Sequence, residues 1–146
     1  MIGMTHEQLP AKIILVGLPK SGTSSFQYLF QRLGLRSYHW TYERQKIGSI
    51  MKKNKQDQKP LLSGISGWDC ITQMDVCLSS EDCYWPQVVD LDQLYEENKD
   101  CIFILNKRDT KKMLRSWKKW GEMDQRLYRF NGDLIEDKTD DGLIDF

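Results

Sequence analysis

Two short apolar runs, residues 12–16 and 101–105, are rich in β-branched residues; the first ends at a glycine loop and the second at Asn106. Runs of this kind predict buried strands. Elsewhere the period changes. Phe26, Leu29, Phe30 and Leu33 recur at i, i+3, i+4 and i+7. That spacing predicts a helix with one face on a sheet, capped at its start by Thr23 or a neighbouring hydroxyl and ended by Gly34. Residues 36–40 predict a second short strand. Residues 41–52 predict a helix with Ile47, Ile50 and Met51 as a weak stripe, and the basic stretch 52–59, closed by Pro60, predicts a loop. Residues 61–68, broken by Gly64 and Gly67, predict a short strand or turn before a helix from about residue 69. A loop over 79–86 leads to a helix over 90–99 with Leu91, Leu94 and Tyr95 inward. Residues 110–120 predict a helix with Met113, Leu114, Trp117 and Trp120 on the apolar face and Lys111, Lys112, Lys118 and Lys119 on the wet one. Strands alternating with helices imply an α/β fold, a parallel β-sheet flanked by helices.

The chain has 146 residues, which by length predicts one domain over 1–146, with a loose lead-in over 1–10 and an acidic segment over 131–146. Lysine plus arginine and aspartate plus glutamate each number 21, so no global charge points to nucleic acid or to a membrane surface. The charge is uneven, however. Residues 131–146 carry six acids and one lysine, a net of −5, which leaves +5 on residues 1–130, a bias that suits an anionic ligand. No run approaches the ~18 apolar residues of a membrane span, and the start lacks the layout of a signal peptide, so the expected location is cytoplasmic. Cys70, Cys77, Cys83 and Cys101 have neither C-x-x-C spacing nor partner histidines; reduced thiols are expected and no metal site. Leu134, Ile135, Leu143, Ile144 and Phe146 put apolar residues in the acidic segment. They leave open a chain cut short at its end and a natural terminus that docks them.

Candidate chemistry concentrates in Gly17-Leu18-Pro19-Lys20-Ser21-Gly22-Thr23-Ser24-Ser25, between the first strand and the first helix. Strand, glycine-rich loop, helix is a layout that holds phosphate: the glycines let successive N–H groups turn inward, and the helix start adds a favourable dipole. Gly17-x4-Gly22 fits the first half of the triphosphate loop G-x-x-x-x-G-K-[ST]. The second half differs. Thr23 stands where that loop has lysine, and the loop's lysine, Lys20, precedes the second glycine. A lysine after the second glycine would reach the β- and γ-phosphates, and the hydroxyl after it would hold magnesium. Here Thr23, Ser24 and Ser25 follow directly and can serve one phosphate, with Lys20 beside whatever group lies beyond it.

Arg108 leaves the second strand at the carboxyl edge where ligands of open α/β sheets sit, and Ser116 lies eight residues on, about two helical turns later. An arginine fork and a hydroxyl suit a second phosphate. His39 follows a predicted strand and titrates near neutrality, which makes it the leading candidate base, with Glu43 and Asp69 as rivals.

The pattern P-K-S-G-T-[ST] resembles the 5′-phosphosulfate loop of the sulfotransferases, and Arg108, Asp109 and Ser116 are similar to their R-D-x-x-x-x-x-x-S pattern. The order continues through Leu33-Gly34, Tyr38-His39, Trp68-Asp69 and Trp117, so the likeness covers about residues 12–120. The resemblance implies a P-loop-like sulfotransferase fold and a metal-free enzyme using 3′-phosphoadenosine 5′-phosphosulfate. It implies Lys20 as a catalytic residue and Pro19, Lys20, Ser21, Gly22, Thr23, Ser24 and Ser25 around the 5′-phosphate. Arg108 and Ser116 would hold the 3′-phosphate. The acceptor, a small molecule or carbohydrate bearing a hydroxyl or amine, and the oligomeric state are left unread. Two alternatives stand beside this: a P-loop kinase or triphosphatase, and a non-catalytic nucleotide-binding remnant of the fold.

Overall fold

The computed structural model describes residues 11–130. A four-stranded parallel sheet forms the centre, ordered β2 (Ser37–His39), β5 (Cys70–Gln73), β1 (Ile13–Leu15), β8 (Ile102–Ile104). Helix α1 (Thr23–Arg32) carries the chain from β1 to β2, and β5 later inserts between those two strands, while β8 pairs on the other side of β1. The connection from β1 runs toward β2 and that from β5 runs the other way to β8, so the direction switches between β1 and β5, and a crevice opens outside the carboxyl ends of the strands. The loops after β1 and β8 both enter it, the second leading to α5 (Thr110–Lys119).

Two small hairpins flank the sheet, β3 (Thr41–Tyr42) with β4 (Gln45–Lys46) and β6 (Val76–Cys77) with β7 (Cys83–Tyr84). Helices α2 (Ile47–Gln56), α3 (Pro86–Val89), α4 (Leu91–Glu97) and α6 (Met123–Phe130) complete the described chain. Ile14, Ile47, Met51, Leu61, Ile71, Met74 and Leu94 form one dry cluster. Trp85, Met113, Leu114, Trp117, Met123 and Leu127 form a second, which fixes α5 and α6 beside the crevice. Helix α1 ends as expected: Gly34 is left-handed (φ 79°), its N–H donates to Gln31 O, and Leu35 N–H donates back to Phe30 O at 3.0 Å. Leu35 and Phe30 pack together in the core, completing the glycine-ended motif.

Several expectations need correction. Residues 41–46 form a hairpin and not the start of a helix, because Glu43 and Arg44 both take positive φ (46° and 68°), the turn that matches strand twist. The helix begins at Ile47 and runs into the basic stretch expected to be a loop, ending at Gln56. Those lysines form its wet face, while Asn54 is buried and donates to Leu61 O and Ser63 O. Residues 61–68 are turns. After Asp69 the chain forms β5, an inner strand of the sheet, where a helix was expected. Part of the 79–86 loop pairs as β7. Only Phe30 and, in part, Phe26 bury the α1 stripe, since Leu29 and Leu33 are about half exposed; Leu91 and Tyr95 of α4 are likewise exposed. β8, like β2, is an outer strand among the described residues, so the run 101–105 is not wholly buried: Ile102 and Leu105 are exposed. Gly22, not a hydroxyl, occupies the N-cap of α1. The expectations for 1–10 and 131–146 fall outside the described residues.

Candidate active site

The loop after β1 is shaped by what grips it. Val16 N–H extends the ladder to Ile104 O, and the chain then turns away. Lys20 and Gly22 both take positive φ (68° and 99°), a curl that lets neighbouring amides converge. A left-handed lysine is uncommon and is kept only where contacts on both sides determine it. Those contacts come from the segment after β8. Asn106 is buried: its Oδ1 accepts from Gly17 N–H at 3.1 Å and its Nδ2 donates to Ser21 Oγ at 2.6 Å. Arg108 Nη1 donates to Lys20 O at 2.8 Å, and Trp117 Nε1 donates to Pro19 O at 2.9 Å. Ser21 closes the turn from inside, donating its hydroxyl to Leu18 O.

A cavity of about 390 Å³ opens at the start of α1, lined by Lys20, Gly22, Thr23, Ser24, His39, Gln73, Arg108, Ser116 and Trp120. Seven of the expected site residues, from three separate parts of the chain, thus meet on one surface. Pro19 and Ser21 are buried in the loop's own bonding and stay off that surface. Ser25 is exposed, and its N–H donates to Gly22 O at 3.0 Å, so this amide serves the helix start and not the cavity. The Lys20 ammonium lies 5.4 Å from the Trp120 ring centre, a cation–π contact that holds the charge over the opening. A second cleft of about 410 Å³ shares Arg108 and Ser116 and adds Lys112, Arg115 and Lys119 along one face of α5. Its lining holds four cations and no acid, a field that attracts anions.

His39 is half-buried, and burial lowers its pKa from the ordinary histidine value, so the neutral ring prevails at pH 7. Its Nδ1 lies 2.9 Å from Thr72 Oγ1. The rival acids are placed elsewhere. Asp69 precedes β5, at the opposite end of the strands, and accepts Arg36 N–H, Nε and Nη2 at 2.8–3.1 Å. Glu43 is exposed at the β3–β4 turn and takes no part in the cavity lining.

Sequence reasoning passed over Gln73, Asn106 and Asp75. Gln73 Oε1 accepts from the Thr23 hydroxyl at 3.3 Å, and its Nε2 donates to Asp75 at 3.4 Å. Asp75 also accepts from Gln87 Nε2 at 3.0 Å; burial pushes its carboxyl up to about 6, although hydrogen bonds from Gln87, the backbone and Gln73 pull the other way. It lines a small cavity of about 140 Å³ with Trp40, Cys77, Met123 and Arg126. That cavity shares the wall residue Trp120 with the one at the start of α1. The signal for Gln73 and Asp75 was present: polar residues inside the apolar stretch 70–77.

A family model for the sulfotransferase domain matches residues 12–137. The chain belongs to the sulfotransferase-domain family. The match spans the loop, all four sheet strands and α5, so every residue that lines the cavity at the start of α1 lies inside the sulfotransferase domain. No curated protein matches the chain. None of the four cysteines takes part in a disulfide, and no cluster of metal-ligating residues occurs among the described residues. None of the described helices is long and apolar enough to cross a membrane.

Proposed function

We propose that this protein transfers a sulfuryl group from 3′-phosphoadenosine 5′-phosphosulfate to a hydroxyl or amine of a small acceptor. The observation that carries the proposal is the meeting of Lys20, His39, Arg108 and Ser116 in one cavity at the start of α1. The residues fit the donor's two anionic ends. The amides and hydroxyls of Thr23 and Ser24 suit the 5′-phosphate at a helix N-terminus, and the basic cleft around Arg108 and Ser116 suits the 3′-phosphate. The donor supplies an activated sulfuryl group attached to that 5′-phosphate.

The chain's own residues do the rest. Lys20 neutralises the negative charge that grows on the bridging oxygen as the bond to sulfur breaks. Arg108 orients the nucleotide and, through its bond to Lys20 O, holds the loop that presents the ammonium. His39 takes the acceptor's proton as the new bond to sulfur forms, a role typically worth about 10²–10⁴-fold in rate. The kinase reading lacks its main requirement, because Thr23 stands in the triphosphate lysine's place.

Titration with adenosine 3′,5′-bisphosphate, against magnesium-ATP, tests the reading. The bisphosphate is expected to raise the thermal midpoint, with about 2.7 kcal/mol of added stability at a hundredfold excess over Kd. Stabilisation by magnesium-ATP alone would favour the kinase reading. Binding of the bisphosphate without sulfuryl transfer to any of a panel of alcohols, phenols, sugars and amines would favour a non-catalytic module.

A further inference from the structure

The histidine of the cavity at the start of α1 is held by a chain of polar side chains. His39 Nδ1 is 2.9 Å from Thr72 Oγ1, and Thr72 Oγ1 is 3.0 Å from Gln27 Oε1 and 3.3 Å from Tyr38 O. Gln27 Nε2 donates to Ser37 O at 2.8 Å. That last bond fixes the amide's orientation, because the reverse would set two carbonyl-type oxygens against each other. Gln27 therefore presents only an acceptor to Thr72, and so does the Tyr38 carbonyl. The single hydroxyl proton of Thr72 must go to one of them. If it went to His39, both close oxygen contacts would be left without a proton, a costly arrangement for a residue that is fully buried.

The strand register points the same way. Tyr38 pairs with Ile71 and His39 with Gln73, so Thr72 is one extra residue on β5. Such bulges re-aim a side chain and recur beside functional sites. The mismatch sits at the residue that meets His39, and nowhere else in the sheet is a register shift recorded among the described strands.

We propose that Thr72 and Gln27 are positioning residues that lock His39 in the Nδ1–H tautomer, leaving Nε2 as the proton-accepting nitrogen for the cavity. The proposal rests on the reading of His39 as the base, and its test is independent of turnover. The chain has two histidines, His6 and His39, so the imidazole nitrogens are readily assigned by nitrogen NMR with His6→Gln as the reference. In the free protein at pH 8, His39 is expected to show a protonated Nδ1 and an unprotonated Nε2. Thr72→Val, close to isosteric, is expected to populate the Nε2–H form, and Thr72→Ser to restore the original pattern. A wild-type spectrum with Nε2–H dominant would overturn the proposal even if Thr72→Val failed to fold, and so would an unchanged spectrum in a folded Thr72→Val. A correct tautomer in a protein that never transfers sulfuryl groups would overturn the transfer reading and leave the tautomer lock standing.

Discussion

Trp117 donates its indole N–H to the carbonyl of Pro19, 98 residues away in sequence and 2.9 Å away in space. The indole is fully buried, so one side chain serves both the α5–α6 core and the loop at the site. Trp117→Phe keeps most of the apolar contact and removes the donor. The orphaned carbonyl should cost about 1–3 kcal/mol. Denaturant midpoints are expected to fall by that amount, with weaker binding of adenosine 3′,5′-bisphosphate because the loop has lost an anchor. Unchanged bisphosphate affinity in a destabilised variant would show that the bond serves the core alone.

Gly17 and Asn106 form a coupled pair. A Cβ on Gly17 would lie 2.1 Å from Asn106 Oδ1, so Gly17→Ala must expel a side chain held by both Gly17 and Ser21. Each of Gly17→Ala and Asn106→Ala is expected to be destabilising by several times the ordinary surface effect of about 0.5 kcal/mol. The double variant should be clearly less damaging than the two losses added, because removing Asn106 vacates the space that the new methyl needs. Additive losses from equilibrium unfolding would contradict the contact.

The parts legible in the sequence are those where one local rule dominates. β1 and β8 are short runs rich in β-branched residues, and Gly34 stops α1 through a motif that needs a left-handed residue. The loop's spacing predicted a curled turn ahead of α1, and Arg108 and Ser116 line the cavity beside it, as their expected place at the same sheet edge implied. What failed was reading β5. Thr72 and Gln73 are polar yet buried, because their partners Gln27, His39, Thr23 and Asp75 come from other elements. A period-based reading treats such residues as solvent-facing and shifts the element accordingly. The basic face of α2 misled in the opposite sense: its charges are solvated, but Met51 and Asn54 beneath them are buried.

Lys20→Ala isolates the ammonium from the loop's shape. The residue is left-handed at φ 68°, and alanine meets the same backbone penalty as lysine there, so the substitution adds no new strain. It removes the cation–π contact with Trp120, a loss of about 0.5–1 kcal/mol at a partly exposed site. The thermal midpoint should therefore move little while sulfuryl transfer is lost. Retained turnover would remove Lys20 from the chemistry, and loss of folding would recast it as scaffold.

Asp75 gives the fold a pH dependence of defined sign. Its carboxyl titrates at about 6 in the folded protein, above the ordinary 3.8, because burial disfavours the charged form. Between those values the native state binds more protons than the unfolded chain, so stability falls as pH rises. The protonated acid's contribution is complete below about pH 4 and gone above about pH 6, a change of about 3 kcal/mol at 1.36 kcal/mol per unit. Asp75→Asn cannot ionise and should lack this component. The difference in unfolding free energy, variant minus wild type, is expected to grow in the variant's favour from pH 4 to pH 8. A difference that stays flat across that range would mean that Asp75 ionises as an ordinary carboxylate and that its contacts with Gln73 and Gln87 offset its burial in full.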